Sequence, residues 1–200
     1  MSEEQGGLLF VLSGPSGVGK DAAIARMKEL NFDICYTITA TTRQPRANEV
    51  NGVHYFFYSP ETFTEMVERG EFLESAVVHG RLYGSPRQQV REQLARGNDV
   101  LLKIDVQGAR QVKAKVPDAV FIFLAPPSIA DLVGRLKLRN TESEEERARR
   151  IQNAYVEMEA MESYDYKVVN HDGQLDDAVR QIGSIIEAER CRVQRRQVIV

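Results

Sequence analysis

The residues best suited to chemistry lie near the start of the chain. Gly14-Pro15-Ser16-Gly17-Val18-Gly19-Lys20 fits the pattern G-x-x-x-x-G-K, with an apolar run at 8–12 before it and a helical pattern at 21–30 after it. Glycines let the backbone wrap tightly, so that successive N–H groups point inward at phosphate oxygens. Lys20 adds a mobile cation for the outer phosphates. In a chain of this composition the pattern arises by chance only about 0.03 times. Residues 14–20 therefore read as a nucleoside triphosphate site. The next position departs from the pattern: Asp21 stands where Ser or Thr would offer a hydroxyl to Mg²⁺. A carboxylate there either contacts the metal itself or complements the positive end of the following helix.

A second group of charged residues follows. Arg43 and Arg46, three apart around Pro45, either present two guanidinium forks to one phosphate dianion or form a solvated basic turn. Asp105 closes the apolar run 100–104, the usual place for a carboxylate near Mg²⁺ beside such a loop. His54, His79 and His171 stand apart from one another and read as satisfied or solvated side chains. Cys35 and Cys191 form no metal-ligand or C-x-x-C spacing, which argues against a zinc site or a disulfide framework. A reducing cytoplasm is the expected compartment.

These residues need a scaffold, and the pattern of elements supplies one. Strand-length apolar runs occur at 8–12, 34–39, 53–58, 72–78, 100–106, 119–125 and 166–169. The two at 100–106 and 119–125 are nearly continuous, as buried parallel strands are. Between them fall helical patterns at 21–30, at 60–70 behind the capping Ser59, and at 86–96. The last of these begins at Ser85-Pro86-Arg87-Gln88, which has the form of a capping box. A helix capped by Ser128 runs to about Leu138. A longer one ends near Met161, with Ile151, Ala154, Tyr155 and Met158 on one face, and an amphipathic helix closes the pattern over 175–186. Alternating strands and helices imply an α/β fold, a mainly parallel sheet flanked by helices. The stretch 39–85 reads differently, as a small, partly antiparallel insertion. Residues 190–200 are either a frayed tail or a packing contact.

The 200 residues fit one domain, and a net charge of −3 offers no basic field for nucleic acid. No run approaches the roughly 18 apolar residues of a membrane span, and the acidic start lacks a signal peptide's basic residues. Neither nucleic acid nor membrane is an expected partner.

The chain resembles the guanylate kinases from about residue 7 to residue 188. The resemblance rests on residues 13–20, Thr41-Thr42-Arg43-Gln44-Pro45-Arg46, Val50-Asn51-Gly52, Glu71-Phe72-Leu73-Glu74, Tyr83-Gly84-Ser85, Ile104-Asp105-Val106-Gln107-Gly108 and Ala125-Pro126-Pro127-Ser128. It implies a P-loop nucleoside monophosphate kinase fold with a core (7–38, 86–138 and 151–190), a GMP-binding insertion (39–85) and a mobile lid (139–150). The implied activity is transfer of the γ-phosphoryl group of ATP to GMP, giving ADP and GDP, with Mg²⁺ as cofactor. Carried onto this chain, the family's pattern puts the acceptor's phosphate on Arg43 and Arg46, helped by Tyr55 and Tyr83. It puts the guanine on Glu74, Thr39 and Ser85, and the transferring phosphate on Lys20, Arg135, Arg139 and Arg150. Arg147 and Arg149 fall outside that alignment. The ATP side comprises Gly14, Pro15, Ser16, Gly17, Val18, Gly19, Lys20, Asp21 and Asn170, the last toward the adenine. Asp105 and Asp21 are the metal candidates.

One departure from the family matters. Lys103 stands two positions before Asp105, where the family carries an acid. Asp21 adds a negative charge and Lys103 a positive one, so the two either compensate as a pair within about 6 Å or have drifted independently. Two other functions remain open at this level: a kinase of the same architecture with another phosphorylated acceptor, and a non-catalytic domain that binds protein ligands.

Overall fold

A computed structural model describes residues 6–78, 80–137 and 144–200, with the backbone alone for 136, 137 and 144–150. His79 and Arg139 lie outside the described residues. Arg150 lies on a described helix, but its side chain is not among those described.

Two sheets organise the described residues. The first is five-stranded, with β1 (Leu9–Ser13) at its centre, β7 (Val100–Lys103) and then β2 (Cys35–Tyr36) on one side, and β8 (Val120–Ala125) and then β9 (Tyr166–Val169) on the other. Every pairing in it is parallel. Side chains alternate across a strand, and here both faces are covered. Phe10, Leu12, Leu101, Ile122 and Leu124 enter one core with α1 (Lys20–Glu29) and α7 (Leu175–Arg190). Leu9, Val11, Val100, Leu102 and Phe121 enter a second core with α3 (Arg87–Ala95) and α4 (Val106–Lys115). Two-sided burial explains why the central strands carry no polar alternation in the sequence.

The second sheet has the order β4 (Phe56–Phe57), β3 (Ala40–Thr41), β6 (Arg81–Pro86), β5 (Phe72–Val78). Its β3–β6 and β6–β5 pairings are antiparallel. It has its own small core of Ala40, Phe63, Met66 and Phe72, with Phe63 from α2 (Pro60–Glu68) stacked on Phe72 at 4.5 Å. The Ser59 hydroxyl caps α2 by accepting from the Thr62 N–H at 3.1 Å, as its sequence implies.

Several expected boundaries move. The runs at 34–39 and 53–58 shrink to two-residue strands, and a strand forms at 40–41 inside what reads as loop. No capping box opens α3: its cap residue is Pro86, and Ser85 belongs to β6. The Ser85 hydroxyl is committed across the ladder to Glu74, so it is not available to a helix end. The helix α4, absent from the sequence pattern, follows Asp105 directly. After α5 (Ile129–Lys137), α6 (Glu144–Glu159) ends in a short 3₁₀ turn at Ala160–Ser163. Ala154 of α6 is buried, whereas Tyr155, expected beside it, is about half exposed. The C-terminal residues make a packing contact: Val198 and Val200 lie against the second core, and Arg196 reaches the buried Glu189 at 3.1 Å.

Candidate functional site

Among the described residues, the glycine loop, Lys103 and Asp105 lie at the carboxyl ends of β1 and β7, the usual ligand position in open α/β sheets. Gly14 follows β1 with φ +146°, and a Cβ there would lie 2.1 Å from the Leu124 carbonyl oxygen on β8. The loop can hug the neighbouring strand only because no side chain intervenes. Gly17 and Gly19 also take positive φ, and Gly19 delivers the chain into α1. Below the loop, the buried Asn170 amide donates to the Val18 carbonyl at 2.8 Å. Asn170, expected toward the adenine, thus supports the loop from beneath.

Lys20 has its ammonium folded over this loop, donating to the Gly14 carbonyl at 2.6 Å and the Pro15 carbonyl at 3.1 Å. Burial pushes the Lys20 ammonium below its ordinary value, opposed by the nearby carboxylates of Glu157, Asp105 and Asp21. Glu157 has no counterpart in the sequence reading. It comes from α6 and accepts from the Ser16 N–H at 3.0 Å, so a carboxylate oxygen lies on a donor that the loop would offer to phosphate. No local pattern announces a contact spanning 141 residues.

Asp21 and Lys103 form an ion pair, as the compensation argument requires. Asp105 caps α4, accepting from the Gly108 N–H at 2.7 Å, and also lines a cleft shared with Lys20 and Glu74. Arg135 reaches the loop from α5, donating to the Asn170 carbonyl at 2.7 Å and the Val18 carbonyl at 3.3 Å while paired with Asp172.

Facing the loop is a cleft of about 260 Å³ bounded by Lys20, Lys103 and Asp105 on one side and Thr39, Tyr55, Glu74 and Tyr83 on the other. Glu74 is buried on β5 and accepts from the Ser85 hydroxyl at 2.7 Å. Desolvation, with help from the Asp105 charge, pushes its carboxyl up from 4.5 to about 7, against the opposing pull of Ser85 and Lys115. A buried carboxylate with so few partners is costly unless a ligand supplies donors.

At the mouth, Arg43 lies over the Tyr55 and Phe57 rings at 5.2 and 5.8 Å, with Tyr83 edge-on to Tyr55. Its fork is held by both oxygens of Glu49 at 2.8 Å, and the Arg46 N–H adds a third bond to the same carboxylate. These bonds hold Glu49 at about 2, far below its ordinary value. Arg46 itself is exposed. Glu49 is the second residue that the sequence reading missed; its place three residues after Arg46 was the available signal.

A glycine loop for a triphosphate facing an arginine–tyrosine mouth and a buried carboxylate defines a P-loop phosphotransferase acting on a small phosphorylated acceptor. The comparisons narrow the class. The guanylate kinase family model matches residues 7–189. A guanylate kinase of Caldanaerobacter subterraneus subsp. tengcongensis is 50% identical over 98% of this chain and 94% of its own length. One of Halalkalibacterium halodurans is 47% identical over 96% and 94%. The crystal structure of guanylate kinase from Anaplasma phagocytophilum superposes with a TM-score of 0.73 at 30% identity, covering 94% of this chain and 89% of that one. The chain belongs to the guanylate kinase family.

Proposed function

We infer that the protein transfers the γ-phosphoryl group of ATP to GMP, releasing ADP and GDP. One observation carries the reading: Lys20 of the glycine loop and the buried Glu74 line the same cleft. Guanine offers two adjacent donors, its N1–H and its 2-amino group, to the Glu74 carboxylate. Adenine would bring an acceptor to N1 and leave the carboxylate unpaired, a strong basis for rejection. Thr39 and Ser85 flank the base, while Arg43, Arg46, Tyr55 and Tyr83 take its phosphate.

The acceptor oxygen already carries negative charge, so no side chain has to remove a proton. It forms a bond to the γ-phosphorus as the bond to the β–γ bridging oxygen breaks, and ADP leaves with that electron pair. Catalysis is then positioning and charge neutralisation. Lys20 and Arg135 serve the donor side, with Arg139 and Arg150 arriving from residues 139–150, the proposed lid. We take 39–85 as the acceptor-binding insertion and 7–38, 86–138 and 151–190 as core.

Two carboxylates near Lys20, Asp105 and Asp21, suit a magnesium ion that enters with ATP and keeps most of its other ligands as phosphate oxygens and water. Bound there, the ion would neutralise charge on the β- and γ-phosphates. Among the described residues no helix is long and apolar enough to cross a membrane, in keeping with a cytoplasmic enzyme.

A coupled assay with ATP–Mg²⁺ and GMP, AMP, dGMP or UMP tests the reading. Turnover should be confined to the guanine nucleotides. Turnover that ignores GMP would point to another acceptor, and none at all to a binding domain.

A further inference from the structure

Glu74 holds an unusual place on its strand. Along β5 and β6, Phe72 pairs with Pro86 while Glu74 pairs with Ser85, a shift of one residue that leaves Leu73 as an extra residue in the ladder. Such bulges re-aim the side chains around them and leave backbone groups without ladder partners. β5 is also the edge strand of its sheet, and partners for its outward backbone groups come from α4. The Lys115 ammonium donates to the Phe72 carbonyl at 3.2 Å and the Leu73 carbonyl at 2.7 Å. On the other flank of Glu74, the Gln111 amide makes both bonds to Ser75, accepting from its N–H at 3.1 Å and donating to its carbonyl at 2.9 Å.

Gln111 and Lys115 are four apart and Gly108 is three before Gln111, so all three lie on one face of α4. At Gly108 a Cβ would come within 2.8 Å of Glu74 Oε2, 3.2 Å of its Cδ and 3.3 Å of its Cγ. One helix face therefore does three things for one carboxylate. It grips the strand before Glu74, grips it after Glu74, and clears the space the carboxylate occupies.

We propose that α4 sets the guanine selectivity of this site, with Lys115 and Gln111 acting as positioning residues that hold the bulged strand so that Glu74 meets both guanine donors. The proposal rests on the assignment of Glu74 to guanine. Neither residue touches the acceptor; each acts through the backbone on either side of Glu74. Bidentate recognition depends on direction as well as distance, so a strand freed to relax into regular pairing turns the carboxylate away from one donor.

The test measures kcat/KM for GMP and for AMP in Lys115→Met, Gln111→Leu and Glu74→Gln, with thermal melting of each variant. Glu74→Gln should collapse the GMP-to-AMP ratio. Lys115→Met and Gln111→Leu should each lower it about tenfold, the effect of one lost hydrogen bond, through the KM for GMP and with an unchanged KM for ATP. Lys115→Arg, which keeps donors for the two carbonyls, should restore most of the ratio. In the Glu74→Gln background, Lys115→Met should lower the ratio no further. If Glu74→Gln lowers the ratio but Lys115→Met and Gln111→Leu lose activity toward GMP and AMP in parallel, or keep the ratio within twofold, α4 is only structural and the proposal is overturned. If Glu74→Gln leaves the ratio intact, the guanine assignment itself falls and takes the proposal with it. Should Lys115→Met fail to fold, Gln111→Leu carries the same comparison.

Discussion

Replacing Glu74 by glutamine should make the ligand-free protein more stable at neutral pH while sharply weakening its use of GMP. In the fold, the Glu74 carboxyl is pushed up to about 7 from 4.5, chiefly by burial. Below the unfolded value it is protonated in both states and costs nothing. As pH rises through the folded value, the buried group must ionise, and the stability present in acid is lost. The rise from 4.5 to about 7 corresponds to about 3 kcal/mol at most above pH 7. Glutamine keeps the shape and an oxygen for the Ser85 hydroxyl, and its amide finds the Asp105 charge nearby. Thermal melts of the two proteins without nucleotide should therefore coincide near pH 4.5 and diverge as pH rises. By pH 8 the variant should melt higher by up to about 6–12 °C, given roughly 2–4 °C per kcal/mol for a chain of this length. On the proposed assignment the same group governs GMP use, since only the carboxylate accepts from both guanine donors. Its ionised share grows from about a tenth at pH 6 to about nine tenths at pH 8, so kcat/KM for GMP should rise about tenfold over that range. Glu74→Gln should retain only the smaller step from the acceptor's own phosphate near pH 6. A variant that is no more stable than the parent at pH 8, or a gap that does not change with pH, would refute the reasoning.

Four further outcomes follow from particular positions. Arg43→Ala removes the fork at the mouth and should raise the KM for GMP at least tenfold while sparing that for ATP, as initial rates with each substrate varied will measure. Glu157→Gln withdraws a charged competitor from the Ser16 N–H and should tighten ATP binding severalfold in calorimetry at low salt, an advantage that fades as salt is added. Gly14→Ala must force a Cβ to within 2.1 Å of a carbonyl oxygen and should yield no folded protein, whereas Gly134→Ala, on α5 with open space around it, should stabilise by about 0.5–1 kcal/mol in denaturant unfolding.

What the sequence made legible was local or repeated. The glycine loop is contiguous, so its order of residue types already describes its shape. The strands at 72–78 and 166–169 coincide with β5 and β9, because aromatic and β-branched residues there are bounded by turn residues. The failures share a cause. Ser85 has the sequence of a helix cap, yet the ladder places it opposite Glu74, and a buried carboxylate is the stronger claimant on a hydroxyl. α4 was hidden because its polar residues mask the helical period: Gln111 and Lys115 turn inward to backbone groups of β5 that no local window contains. Glu157 was passed over for the same reason, since an acid on a charged helix reads as solvated until the fold brings an N–H to it, whereas Glu49 lies in a loop within a few residues of both its arginine partners.

Those acids account for how a chain of net charge −3 prepares to hold two polyanions. Among the described residues, several donors around the proposed phosphate positions already have stand-ins. Arg43 holds Glu49, Arg135 holds Asp172, Lys103 holds Asp21, the Ser16 N–H holds Glu157, and Lys20 rests on two loop carbonyls. Leaving the partly buried donors among these unpaired would cost free energy, and like charges converging on an empty cleft would oppose folding. Pairing removes that cost but sets a toll on binding, because every phosphate oxygen must displace a carboxylate or a carbonyl. Affinity then comes from the difference between the two partners. A phosphate dianion outbids a single carboxylate at a two-armed fork, so the exchange runs forward only for a ligand with enough charge in the right places. Selectivity for the base cannot arise in this way, since guanine is uncharged. On the proposed assignment it comes from Glu74, a buried acid of the cleft whose side-chain donor is the Ser85 hydroxyl until a base supplies more.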